Sequence, residues 1–83
     1  MGTKNNPGQF DCYEAAEPDE PMFVLLGRDV LASDLVYEWA RRREVVAIIG
    51  GPTEHEQAKI NEARDCADAM RRWCGLQPKE RNA

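Results

Sequence analysis

Tyr13 and Arg28 are the residues of this chain whose type and setting best suit chemistry, and that chemistry is recognition rather than reaction. Tyr13 lies in a short stretch opened by Asp11 and closed by Pro18, a rigid place from which to present an aromatic face. Such a face can stack on a nucleobase, a contact of about 1–3 kcal/mol per base. It can equally pack into a core with its hydroxyl satisfied. Arg28 follows an apolar run and Gly27. Its planar fork suits a phosphate bidentately where a lysine would act as a point charge. The competing role is an ion pair with Asp29 or a neighbouring glutamate.

No other residue set has the spacing of a catalytic or metal centre. His55 is the sole histidine and stands between Glu54 and Glu56 at a helix start, where a surface role suits it better than a base. Asp19 and Glu20 precede Pro21, an arrangement that fits capping and helix-dipole chemistry better than paired acid and base. Gly50-Gly51 lacks the following Lys-Ser/Thr of a phosphate-binding loop. Cys12, Cys66 and Cys74 form no CxxC pair, so a zinc site would need all three with His55 from scattered positions. An odd count cannot close entirely into internal bridges. Cys66 and Cys74 lie near one helical face as buried reduced thiols, which points to a cytosolic setting.

The elements that must position Tyr13 and Arg28 read as helical. Residues 1–9 are a polar, flexible arm with a Pro7-Gly8 turn, ordered by a partner subunit if at all. Asp11 caps a short helix over 12–16, with Phe10 packing just before the cap, and Pro18 ends it. Asp19-Glu20-Pro21 looks like a second helix start. Met22–Leu26 is an unbroken apolar run for which a helical turn is preferred over a strand. Asp29, or alternatively Ser33, caps a longer helix. Its apolar stripe is Leu31, Leu35, Tyr37 and Trp39, widened by Val36 and Ala40, with Arg41–Arg43 near its C-terminal end. Val45–Ile49 either extends that helix or forms an apolar connection, and its exposure predicts a covering subunit. Thr53 and Glu56 make a capping box. The helix they open carries Ile60, Ala63, Ala67, Met70 and Cys74 on one stripe and ends at Gly75 in the left-handed conformation. The expected fold is all-α: short N-terminal segments, then an antiparallel helical hairpin, assembling as a homo-oligomer. The domain spans residues 10–76, with a polar tail over 77–83.

Composition narrows the partners. A chain of 83 residues makes at most one domain and buries only roughly 60% of its unfolded surface. Oligomerisation is the cheapest route to further stability. Fifteen acids against eleven bases give a formal charge of −4, which disfavours a polynucleotide partner but allows a small anion in a local basic pocket. No signal peptide or transmembrane span is expected, since Val45–Ile49 is far short of the roughly 20 residues a membrane helix needs. The arginine triplet 41–43 and the pair Arg71-Arg72 read as solvated faces that could surround an anion at a symmetry axis.

The order Phe-Asp-Cys-Tyr at 10–13, Pro-Asp-Glu-Pro-Met-Phe-Val-Leu-Leu-Gly-Arg-Asp at 18–29, a Trp-bearing helix and an Ala-rich Cys-Ala-Asp-Ala-Met-Arg helix resembles the phage anti-CBASS sponge family. That family shares a helical-hairpin domain with the Thoeris anti-defence sponges. The resemblance runs from Phe10 to about Trp73, and residues 18–29 are its most specific part. It implies a homohexamer of small helical protomers that binds cyclic dinucleotides such as 3′,3′-cGAMP without cleaving them, so that the host effector is never activated. No enzyme activity and no cofactor are implied, and the setting is the host bacterial cytoplasm. The family's pocket tyrosine matches Tyr13 and its basic residue matches Arg28. Members often carry lysine there, and arginine keeps the charge while changing the phosphate geometry it prefers. Members also hold cyclic trinucleotides at a separate site, for which Gly27, Val30 and Arg71 or Arg72 are candidates by position and charge. Val45–Ile49 is longer than the interhelical connection the resemblance implies. Two rival functions remain beside it: a Thoeris-type sponge for a cyclic ADP-ribose isomer, and a helical protein-interaction module with no nucleotide ligand.

Overall fold

A computed structural model describes residues 1–76 of the chain. Among them are three helices and no strand: α1 (Cys12–Ala15), α2 (Ala32–Gly50) and α3 (Glu54–Leu76). The expected tail over 77–83 lies outside the described residues. The two long helices pack on each other as a hairpin. Their pairing is antiparallel, because Arg43, early in the second half of α2, meets Glu56 at the start of α3, whereas Asp34 at the start of α2 meets Arg71 near the end of α3.

Small side chains let the helices approach. Ala40, Ile60 and Ala63 form the central cluster, with Met1 and Val36 packed against it, and Ala32 and Ala67 are also fully buried. Only Ile60 among the fully buried side chains is large. The α3 stripe read from the sequence holds for Ile60, Ala63 and Ala67, while Met70, Cys66 and Cys74 are half-buried at its edge. The α2 stripe is different. Its inner face is Ala32 with the predicted Val36 and Ala40, whereas the predicted Leu31, Leu35 and Trp39 point outward at 61%, 50% and 40% exposure. The two sets are one residue apart, a rotation of about 100° on a helix of 3.6 residues per turn. Close approach of α3 selects the alanine face, and the larger residues are left on the surface.

Four local expectations are corrected. Met22–Leu26 is neither helix nor strand, and no helix starts at Asp19-Glu20-Pro21. Instead Glu20 closes a turn, its carboxylate accepting the Glu17 N–H at 3.0 Å. A five-residue apolar run is too short to sustain a helix without extensive packing, and in this one all but Leu25 are exposed. Neither Asp29 nor Ser33 is the cap residue of α2. That place is taken by Leu31 with no side-chain bond, while Asp29 caps the preceding turn through the Leu31 N–H at 2.9 Å. Arg41–Arg43 sit mid-helix, because Val45–Ile49 continues α2 to Gly50. The chain turns at Gly51, whose φ of 82° a side-chain-bearing residue rarely adopts. Gly75 is not a left-handed cap, since α3 runs through it to Leu76. A glycine inside a helix costs only about 1 kcal/mol relative to alanine.

The capping box at Thr53 forms by half. Thr53 Oγ1 accepts the Glu56 N–H at 3.0 Å, but the Glu56 carboxylate turns across to Arg43 at 3.0 Å. Among the described residues, no helix is long and apolar enough to cross a membrane.

Candidate functional site

Tyr13 stands on α1, a single turn held by local chemistry. The Asp11 carboxylate accepts the Tyr13 N–H at 3.1 Å, and the Ala16 N–H closes on the Cys12 carbonyl. No residue of α1 is buried, and Tyr13 is 75% exposed. Arg28 lies in the turn between the apolar run and α2, a turn closed by the Asp29 N–H on the Leu26 carbonyl at 3.0 Å. Its guanidinium is exposed and makes no salt bridge among the described residues. Neither in-chain role open to these residues is taken up: Tyr13 is not in the core, and Arg28 is not paired with Asp29. No hydrogen bond, ion pair or ring contact joins Tyr13 to Arg28 within the protomer.

The other basic residues are largely engaged. Arg41 and Arg42 share the Glu38 carboxylate, and hydrogen bonds first from Arg41 and then from Arg42 hold its pKa down at about 2. Arg43 bonds Glu56 and Arg64 bonds Glu44 across the hairpin, and each arginine lowers its partner's pKa by hydrogen bonding and by charge. The triplet 41–43 is thereby engaged within the chain, three guanidiniums on two carboxylates.

The residues proposed for a second site are partly gathered. Gly27 lies against α3, where an added Cβ would sit 3.6 Å from Met70 Cα and 3.6 Å from Trp73 Cδ1. That is the helical turn carrying Arg71 and Arg72. The Arg71 guanidinium, however, turns to α2, bonding Asp34 at 2.9 Å and lying 5.4 Å from the Tyr37 ring centre. Arg72 and Val30 are exposed.

Two features lie outside the residues singled out from sequence. The first is a cleft of about 300 Å³ between the N-terminal loop and the hairpin, walled by Phe23, Val24 and Leu25, floored by Val36, Cys66 and Met70, and reached by Cys12 of α1. The second is Glu62 on α3, whose two carboxylate oxygens accept the Gln9 N–H at 2.7 Å and the Phe10 N–H at 2.9 Å. The amino group of Met1 joins the same carboxylate at 3.4 Å. Burial pushes the Glu62 pKa up, but the Gln9 and Phe10 amides and the Met1 charge outweigh it, and the net shift is downward. Residues 1–9 are therefore tied to α3 of their own chain. The Phe10 ring lies 5.1 Å from that of exposed His55 in a T-shaped pair. In sequence, Glu62 is marked only by its place beside Ala63 at the margin of the apolar stripe.

No family model, curated protein or solved structure matches the chain.

Proposed function

We propose that this chain is a phage immune-evasion protein that binds and sequesters cyclic dinucleotide messengers of host CBASS defence, without cleaving them, in the host bacterial cytoplasm. Tyr13 stacks on a purine and Arg28 pairs with a phosphate, two protomers of a homo-oligomer contributing one set each to a ligand between them. The observation that carries the reading is that an exposed tyrosine on a capped turn and an exposed arginine both make no side-chain hydrogen bond or ion pair among the described residues. Residues left unsatisfied by their own fold suit a ligand that is flat, aromatic and anionic. Affinity without reaction needs no general acid or base, and stacking and phosphate pairing use neither residue as one.

Assembly is supported by what the hairpin leaves uncovered. A core with one large fully buried side chain is slight for a domain. Leu31, Leu35, Trp39 and Val46 meanwhile continue along one outer stripe of α2, and Ile49 at its end is 86% exposed. Apolar surface of that kind marks interaction sites. Copies of the chain, in the proposed hexamer, are the simplest cover. Ligand held between copies would stabilise the assembly by mass action. A separate trinucleotide site at Gly27, Val30 and Arg71 or Arg72 belongs to the same proposal. The same exposed stripe supports the second reading, a helical protein-interaction module in which Tyr13 and Arg28 are interface residues.

Calorimetric titration of 3′,3′-cGAMP into the wild type, Tyr13→Ala and Arg28→Ala separates these. The sponge predicts tight binding, a loss of about 1 kcal/mol or more with Tyr13→Ala, and recovery of intact ligand after denaturation. Degraded ligand would mean an enzyme. Binding of a cyclic ADP-ribose isomer in preference to the dinucleotide would mean the Thoeris-type ligand. Absence of heat with either, and of any thermal shift, would remove the nucleotide reading and leave the interaction module.

A further inference from the structure

We infer that Glu62 is a positioning residue for the ligand site, fixing the pose of α1 and hence of Tyr13, an inference that rests on Tyr13 being the stacking platform. The argument starts from how little else holds α1. It has four residues and none is buried. No Cα of it comes within 8 Å of one in α2 or α3. Its Asp11 cap fixes its internal shape, not its place on the hairpin. Downstream, the Glu17–Glu20 turn is closed by its own local bonds.

Upstream the position is different. Phe10, one residue before the cap, gives its amide to one oxygen of Glu62, and Gln9 gives its amide to the other. The Glu62 side chain is 20% exposed and projects from α3. The clasp thus ties the start of α1 directly to the rigid hairpin. The loop on the far side is shaped for it. Gly8 has a φ of +81°, and a Cβ there would press on the Met1 carbonyl oxygen and lie 2.7 Å from Glu62 Oε1, so any side chain would displace the loop from the clasp. Thr3 and Asn6 close the loop tip by exchanging backbone bonds at 2.8 and 3.1 Å. A carboxylate offers two acceptors and no donor, which is what two adjacent N–H groups need. Without it those amides lose their partner, and the loop and α1 are held mainly by the Phe10–His55 ring contact, the apolar packing of Met1 and the bond from the Met1 amino group to the Phe10 carbonyl.

The test uses the full chain with Glu62→Ala and, from the opposite side of the clasp, Gly8→Ala, each alone and combined with Tyr13→Ala. Amide exchange reads the clasp and calorimetry with 3′,3′-cGAMP reads the site. Both variants should speed exchange at Gln9 and Phe10 while leaving the α2 and α3 amides protected. If the competent pose falls to about one-tenth occupancy, apparent affinity falls about tenfold. That loss should shrink or vanish when Tyr13 is already alanine, because coupled residues are not additive. Faster exchange with unchanged affinity, or a loss fully additive to that of Tyr13→Ala, would overturn the inference. Failure of the wild type to bind 3′,3′-cGAMP would overturn it through the reading it rests on. The exchange data would still report the clasp, so the two failures are distinguishable. Should Glu62→Ala fail to fold, Gly8→Ala supplies the same comparison.

Discussion

The hairpin and the N-terminal third of this molecule are built by opposite rules. In α2 and α3 the buried face is apolar and the charges that bridge the helices come in pairs: Arg43 with Glu56, Arg64 with Glu44, Arg71 with Asp34. In residues 10–31 the helical content is one turn, and the side chains of interest face solvent without hydrogen-bond or ion-pair partners among the described residues. The hairpin spends its interactions on itself. The N-terminal third holds its backbone with caps and turns, at Asp11, Glu20 and Asp29, and leaves Tyr13 and Arg28 available. A small domain that must both fold and bind divides the chain this way: stability in one region, recognition in the other, with Glu62 as the tie between them.

The contrast breaks most severely at Ile60. As the one large fully buried side chain among the described residues, it should cost about 2–5 kcal/mol on truncation to alanine. For a chain of this size that consumes much of the stability available. Denaturant unfolding followed by far-UV circular dichroism would show the midpoint collapse. A loss below about 1 kcal/mol would mean that the α2–α3 interface is not the stabilising core.

Acid should loosen the same region next. Glu44 and Glu56 have their pKa values lowered by Arg64 and Arg43, and Glu38 is held at about 2. A carboxyl whose folded pKa is depressed contributes stability above its unfolded value and loses it as pH falls through the folded value. Thermal stability should therefore be level near neutrality, begin to fall below the ordinary carboxylate range, and keep falling toward the Glu38 value. Because these groups are exposed, added salt should flatten the profile. Stability rising as pH drops from neutral into the acid range would contradict the assignment. A smaller local effect is expected at Thr53, whose replacement by alanine removes the cap bond to the Glu56 amide. That should cost about 1 kcal/mol.

How much of this was legible in the sequence follows the same division. The start of α3 was readable from Thr53 and Glu56, and its stripe from Ile60, Ala63 and Ala67, because capping and 3.6-residue periodicity are local signals. α1 was readable from Asp11 and Pro18 for the same reason. The inner face of α2 was readable only in part, at Val36 and Ala40, which the sequence places at the margin of the stripe. Periodicity by hydrophobicity favours Leu31, Leu35 and Trp39, but burial went to Ala32, Val36 and Ala40, which allow close helix approach. Only the partner helix carries that information. Met22–Leu26 was ambiguous on composition and resolved into neither regular element, since what fixes it is the cleft it lines with Val36, Cys66 and Met70. At the candidate site the types and positions of Tyr13 and Arg28 were visible. Their lack of partners among the described residues, and the hold that Glu62 exerts fifty-two residues from Phe10, required the fold.

The smallest expected effect sharpens the comparison most. Tyr13→Ala and Arg28→Ala should each change the stability of the ligand-free chain by no more than about 0.5 kcal/mol, the range of surface substitutions away from caps and cores. The Tyr13 ring is 75% exposed, and the cap at its amide uses backbone, not side chain. Arg28 gives up no salt bridge within the described residues. The measurement is a pair of thermal melts at low protein concentration, repeated at high concentration to expose any contribution from assembly. Two nearly silent substitutions in the N-terminal third, set against a collapse at Ile60, would mean that Tyr13 and Arg28 are not held for folding. A loss of about 2 kcal/mol or more at Tyr13 would instead place its ring in a packed contact between protomers. Recognition would then have to be sought elsewhere, first along the turn of α3 beside Gly27.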